Sequence, residues 1–278
     1  MRPGHRGSDL EVDWQELTAE RADPAMAQKR MFEALLGGDP GDVPDPVLDS
    51  FVVLAAETSE ETAIELAAGS TQKSLSFAEL EDQARRLGHA ADTRNAADLR
   101  DFLGLGRDRP PAWRQGVEAA RELRRRTGLN GTAISNARLT EMAGVAPGVL
   151  EDDRPGPDLA YRIGDAGRGE SVVLRSRWQT GRRFELARLM GDRATSAEDE
   201  RLTPATRSYR FRQKFQRAFA AEFLCPLDTT LDMLDGDFSD EAISTVAHHF
   251  SVSDLTVQTL LVNNGYIDRG TLAAYETA

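Results

Sequence analysis

Apolar positions along this chain recur mostly at three- and four-residue spacing, the period of a helix. Residues 14–36 carry Trp14, Leu17, Met26, Met31 and Phe32 among Ala, Glu and Gln and run into Gly37-Gly38, which predicts a helix closed by a glycine cap. After a proline-rich loop, residues 47–68 place Phe51, Leu54 and Ala55 on one stripe. Thr58-Ser59-Glu60-Glu61 interrupts them as an N-cap for a following helix. The same period predicts helices over 77–88, stopped by Gly88, and over 112–128, with Trp113, Val117, Ala120 and Leu123 inward. A short one around Ile134, Leu139 and Met142 ends at Gly144. Further on, 208–223 has Phe211, Phe215 and Phe219 on one face, and 240–250 and 253–263 form a closing pair.

Strand patterning is confined to residues 160–164 and 171–178, short and β-branched, with Gly167 and Gly169 between them as a hairpin loop. The chain therefore reads as α+β, mostly helical, with a small β-sheet. Gly104, Gly106, Pro110 and Pro111 break a charged connector and suggest a helical N-terminal domain over 1–103, a mixed domain over 104–235 and a helical C-terminal segment over 236–278. In that last segment Ala247, Phe250, Val252, Val257, Leu260 and Leu261 form a helix-turn-helix-like pattern, but Arg269 is its only Lys or Arg, so a core-supporting role is expected rather than DNA contact.

At 278 residues and 40% hydrophobic content the chain can bury a sizeable core. Its longest apolar runs, such as 51–56, fall far short of the roughly 20 residues that cross a bilayer, and its start lacks a signal-peptide pattern, so a cytoplasmic protein without membrane contact is expected. The single cysteine, Cys225, sits in an apolar helix end and reads as a core thiol. The net charge of −12 is unevenly spread. Residues 1–100 carry 10 Lys and Arg against 20 Asp and Glu, residues 101–217 carry 23 against 16, and residues 218–278 carry 1 against 10. A basic middle between acidic ends implies either that the flanks dock on it or that it faces an acidic partner.

The stretch 182–192, Arg-Arg-Phe-Glu-Leu-Ala-Arg-Leu-Met-Gly-Asp, and the downstream Gln213-Lys214-Phe215-Gln216-Arg217-Ala218-Phe219-Ala220-Ala221-Glu222-Phe223-Leu224-Cys225-Pro226 carry a family signature. They resemble the ImmA/IrrE-type metallo-endopeptidases, whose members have Arg-Phe-Thr-Leu-Ala-His-Glu-Leu-Gly-His and then Glu-x-x-Ala-Asn-x-Phe-Ala-Ala-x-Leu-Leu-Met-Pro. Arg183, Phe184, Leu186, Ala187 and Gly191 match the first motif, and Phe219-Ala220-Ala221, Leu224 and Pro226 the second. The resemblance covers roughly residues 110–265 and implies a zincin-like domain. Its chemistry, however, rests on two histidines four residues apart that reach one Zn²⁺ from one helical face, with a glutamate as general base. The histidines fall on Arg188 and Asp192, the general base on Leu189, and the third ligand, a glutamate, on or near Gln213.

The expectation is accordingly a catalytically inactive relative acting as a regulatory or protein-interaction module, with no cofactor and no metal. The opposite charges of Arg188 and Asp192 at ion-pair spacing suggest that the two pair with each other in place of the metal. What the resemblance implies about partners is a repressor, a toxin-like protein or an extended peptide laid along the edge of the sheet, in repressor, stress or mobile-element control. On the residues alone, Arg207, Arg210, Lys214 and Arg217 form a basic stripe and are the candidate contact residues. Two alternatives stand beside this reading: an active endopeptidase with oxygen ligands such as Asp192 and Glu222, which would suit Mg²⁺ or Ca²⁺, and a DNA-binding regulator using the basic middle.

Overall fold

The computed structural model describes residues 9–69, 76–92, 110–154, 156–165, 169–196 and 200–270. They form a mostly helical α+β protein with one four-stranded antiparallel sheet. No described helix is long and apolar enough to cross a membrane. The chain divides into two compact units, 1–80 and 81–278.

In the first unit the helix expected over 14–36 is two helices, α1 (Asp9–Ala22) and α2 (Pro24–Leu35). Pro24 cannot continue a helix from its N-terminal side, and Asp23 caps the new one by accepting from Ala25 N at 2.9 Å. Helix α3 (Asp45–Glu57) and α4 (Glu60–Gly69) are separated where the cap was expected, with Thr62 N donating to Ser59 Oγ at 3.1 Å. Phe32 and Phe51 stack at 5.7 Å among buried Leu48, Leu54, Ala63 and Leu66. Buried Glu33 organises the loop after α2: its carboxylate accepts from Gly41 N, Val43 N and Arg30 Nη1. Burial alone would raise its pKa, but these bonds outweigh that and hold it below the usual value.

The second unit contains the sheet, ordered β1-β3-β2-β4. The expected hairpin is present as β2 (Ala160–Asp165) and β3 (Gly169–Val173), with Tyr161 opposite Val173; the connecting residues 166–168 lie outside the described residues. Two strands were not expected. β1 (His89–Ala91) pairs with β3, and β4 (Leu202–Ala205) pairs with β2. The first has no β-branched residue and the second contains Pro204, so neither shows the strand signal. His89 lies in β1 with Nε2 3.2 Å from the Asp152 carboxylate.

The unit boundary also differs from the expected one. It falls inside α5 (Phe77–Leu87), because residues 81–92 belong to the sheet-bearing unit: β1 pairs with β3, Asp92 N donates to Gly144 O at 2.7 Å, and Tyr161 Oη donates to Gln83 Oε1 at 3.0 Å. The connector 93–109 lies outside the described residues. Nor does 236–278 stand apart. Ile243, Val246, Phe250, Val257 and Leu261, from α11 (Asp240–Phe250) and α12 (Asp254–Asn263), share one core with residues 112–234.

That core is centred on α6 (Ala112–Arg126), α8 (Gln179–Asp192) and α9 (Phe211–Leu224), with α7 (Asn136–Ala143) and α10 (Leu227–Leu234) against them. Phe215, Phe219 and Phe223 stack in a row along α9. Phe211 departs from the expected core face and is 46% exposed. Gly116 of α6 lies so close to α9 that a Cβ there would sit 2.5 Å from Phe215 O and 2.9 Å from Phe219 N. In the arginine run that ends α6, Arg124 is buried and donates to the carbonyls of Asn130, Thr132 and Phe223.

Candidate functional site

An amphipathic surface helix would expose its charges, yet α8 buries Arg182, Arg183, Glu185, Arg188 and Asp192 together with Leu186, Leu189 and Met190. Each charge must then find partners inside the protein. Arg182 donates to Val149 O and Ser176 O. Arg183 donates to Ile134 O, Ser251 O and Asn136 Oδ1. Glu185 accepts from the backbone of Arg175 and Ser176 at 2.9 and 3.0 Å, which ties the end of the sheet region to the helix.

The last turn carries the positions of interest. Arg188 Nη2 donates to Gln213 Oε1 at 2.6 Å, to Thr206 O at 2.7 Å and to Gln216 Oε1 at 3.3 Å. Gln213 also binds backbone on both sides, accepting from Thr206 N at 2.9 Å and donating to Pro204 O at 3.0 Å. Gln216 donates to Pro204 O at 3.1 Å and to Asp192 Oδ1 at 2.6 Å. Arg188, Asp192 and Gln213, which the resemblance aligns with metal ligands, therefore meet in one buried network with Gln216 as the link. Leu189 does not join it; with Ala91, Val172, Leu186 and Met190 it lines a small gap between helix and sheet.

The expected ion pair between Arg188 and Asp192 does not form. Asp192 is instead gripped by Arg212, Nε to Oδ1 at 2.7 Å and Nη2 to Oδ2 at 2.6 Å, and Arg212 reaches Glu200 at 2.7 Å. Three causes explain this. An Arg placed N-terminal to an acid is the poorer i,i+4 orientation. Arg212 enters from the start of α9 with the two-pronged geometry a carboxylate prefers. Arg188 is meanwhile turned toward the connection between β4 and α9. The electrostatics follow. Burial alone would lower Arg212, but the Asp192 charge, its hydrogen bonds and Glu200 hold it above its ordinary value. Burial, with Arg217 adding to it, pushes Arg188 down to about 9.

The network also occupies backbone groups at one edge of the sheet, that of β4. Pro204 has no N–H, its carbonyl accepts from Gln213 and Gln216, and the N–H and C=O of Thr206 are taken by Gln213 and Arg188. At the opposite edge Ala91 bridges Val145. Strand addition requires free backbone groups, and Pro204 and Thr206 do not supply them.

Asp192 and Glu222 do not assemble an oxygen-ligand site. Arg212 holds the first, whereas Arg121 holds Glu222 at 2.7 Å. Among the described residues no group of three His, Cys, Asp or Glu side chains could hold a metal ion. Cys225 is buried against Thr230 Oγ1 at 3.2 Å, and burial pushes its thiol up to about 11.

Of the candidate contact residues, Arg207, Arg210 and Lys214 are exposed and Arg217 is half-buried, donating to Ser208 O at 2.8 Å with its guanidinium over the Tyr209 ring at 5.4 Å. Tyr209 is 82% exposed, so this face presents aromatic as well as cationic surface. Arg212 and Gln216, which complete the buried network, escaped sequence reasoning. Their one sequence signal is the i,i+4 spacing that puts both on the face of α9 turned to α8. No protein-family model, no curated protein and no solved structure matches the chain.

Proposed function

We propose that the chain is a catalytically silent relative of the ImmA/IrrE-type metallo-endopeptidases, working as a regulatory or protein-interaction module in repressor, stress or mobile-element control. The observation that carries this reading is the convergence of Arg188, Asp192 and Gln213. Three residues from two helices meet where the resemblance puts a metal, and they are joined by carboxamide and guanidinium bonds rather than by an ion. A base in the position of Leu189 is missing as well, so the site holds no group to activate water. The partner in this reading is a protein, and its contact surface is the exposed Arg207, Tyr209, Arg210 and Lys214.

A variant that restores the ligands tests the reading. Arg188→His, Asp192→His and Gln213→Glu together should yield a folded protein that takes up a single Zn²⁺, measured by elemental analysis after gel filtration, while the parent takes up none. A variant that keeps its far-ultraviolet circular dichroism and cooperative melt but holds no zinc would show that these positions never formed a metal site, and the resemblance would have to be dropped.

The exposed Tyr209 beside Arg217 favours one second reading, a single-stranded nucleic-acid surface on which bases stack. Retardation of a labelled oligonucleotide that weakens steeply with salt would support it over the protein partner.

A further inference from the structure

Arg124, Arg183, Arg188 and Arg212 are all buried, but they do not spend their guanidinium groups alike. In Arg124 every nitrogen donates to a carbonyl. Arg183 places Nε on Ser251 O, Nη1 on Asn136 and Nη2 on Ile134 O. Arg212 divides its three nitrogens between two carboxylates. Arg188 differs: all three of its acceptors crowd onto Nη2, and its buried Nε has none. Among the described residues no carboxylate lies within ion-pairing distance of it, and Nη1 makes no hydrogen bond. An arginine held 92% out of water with an unpartnered Nε and no ion-paired carboxylate is a costly arrangement, and one that an anion relieves.

The surroundings point the same way. Arg217 Nη2 binds Ser208 O, two residues beyond the Thr206 carbonyl that receives Arg188, and Arg217 follows Gln216 and lies one turn from Gln213 on α9. Two guanidiniums are thus anchored to the same short connection. Arg217 is half-buried and forms the outer member of the pair.

We propose that Arg188, with Arg217 beside it, is a receptor for one oxyanionic group, a carboxylate or a phosphate. The group would accept from the unspent donors of Arg188 and from Arg217, a charge-assisted geometry that guanidinium pairs favour. This inference rests on the hydrogen-bond inventory of Arg188 and not on the resemblance to peptidases, so it stands or falls separately from the zinc experiment.

The test uses the full chain labelled with ¹⁵N and follows arginine Nε–H resonances and the melting temperature while sodium phosphate or sodium acetate is added at constant ionic strength against sodium chloride. The Arg188 signal, assigned by its loss in Arg188→Met, should move saturably with phosphate or acetate and not with chloride. Response to acetate alone identifies a carboxylate as the ligand, and response to phosphate alone identifies a phosphate. In Arg217→Gln, a change at a half-buried position, binding of the effective anion should weaken at least about tenfold, the loss of one charge-assisted bond. Absence of a saturable shift with either anion, or an equal response in wild type and Arg217→Gln, overturns the proposal.

Discussion

Asp192 is completely buried and gripped by Arg212, whereas Arg188, one turn earlier on the same helix, faces only uncharged acceptors. The two sites should respond unequally to truncation. Asp192→Ala leaves Arg212 buried with Glu200 as its remaining partner and should cost about 3 kcal/mol in urea melts. Arg188→Met removes a buried cation that has no ion-paired carboxylate and should cost less than half of that. A double-mutant cycle should place the larger coupling between Asp192 and Arg212, and a coupling between Arg188 and Asp192 of equal size would contradict this account. The sequence shows why the wrong partner suggests itself. Spacing along one helix reveals that Arg188 and Asp192 share a face, but it is blind to Arg212, which lies 20 residues away and reaches Asp192 only because α8 and α9 pack together. The bonds that join Arg188, Asp192 and Gln213 were not legible, because they run through Gln216 and Arg212 of a second helix.

Among the elements, the helices read well because their apolar faces repeat over several turns and their ends carry caps: Ser135, Ser239 and Ser253 each accept from the first turn that follows, and Gly144 closes α7 at φ 72. The strands β1 and β4 read badly because three or four residues give no alternation to detect, and their pairing comes from distant neighbours. Helix α6 makes its closest approach to α9 at Gly116, which has the packing role that a helical glycine otherwise lacks reason for. Gly116→Ala would push a methyl group into the backbone of Phe215 and Phe219, which cannot swing aside as a side chain can. The substitution should therefore lower stability by at least about 2 kcal/mol despite alanine's better helix propensity. An unchanged or raised melting temperature would show that the two helices can separate at little cost.

Across the whole chain, the division of charge is partly resolved within the second unit, where Glu222 and Asp228 of the acidic C-terminal part both pair with Arg121. The Pro- and Gly-rich connector drew the expected boundary to 103, but a change in composition marks where a chain turns, not where its contacts end. Residues 81–92 supply an edge strand, a hydrogen bond to Gly144 and the His89 contact to Asp152. A fragment of residues 81–278 should thus melt cooperatively, and one of residues 104–278 at a clearly lower temperature by circular dichroism; equal melting of the two would restore the connector as the boundary.

Arg183 has a consequence for how such a chain is made. Its acceptors lie on both sides of it in sequence: Ile134 O and Asn136 come 49 and 47 residues earlier, Ser251 O comes 68 residues later. As the chain leaves the ribosome, α8 emerges with the earlier acceptors already synthesised and the later one still missing. Drying the helix before the turn at Ser251 is in place would strand part of a guanidinium without a partner. Helices α11 and α12, which look like an appendage in the sequence, are thereby needed before the inner face of α8 is fully partnered.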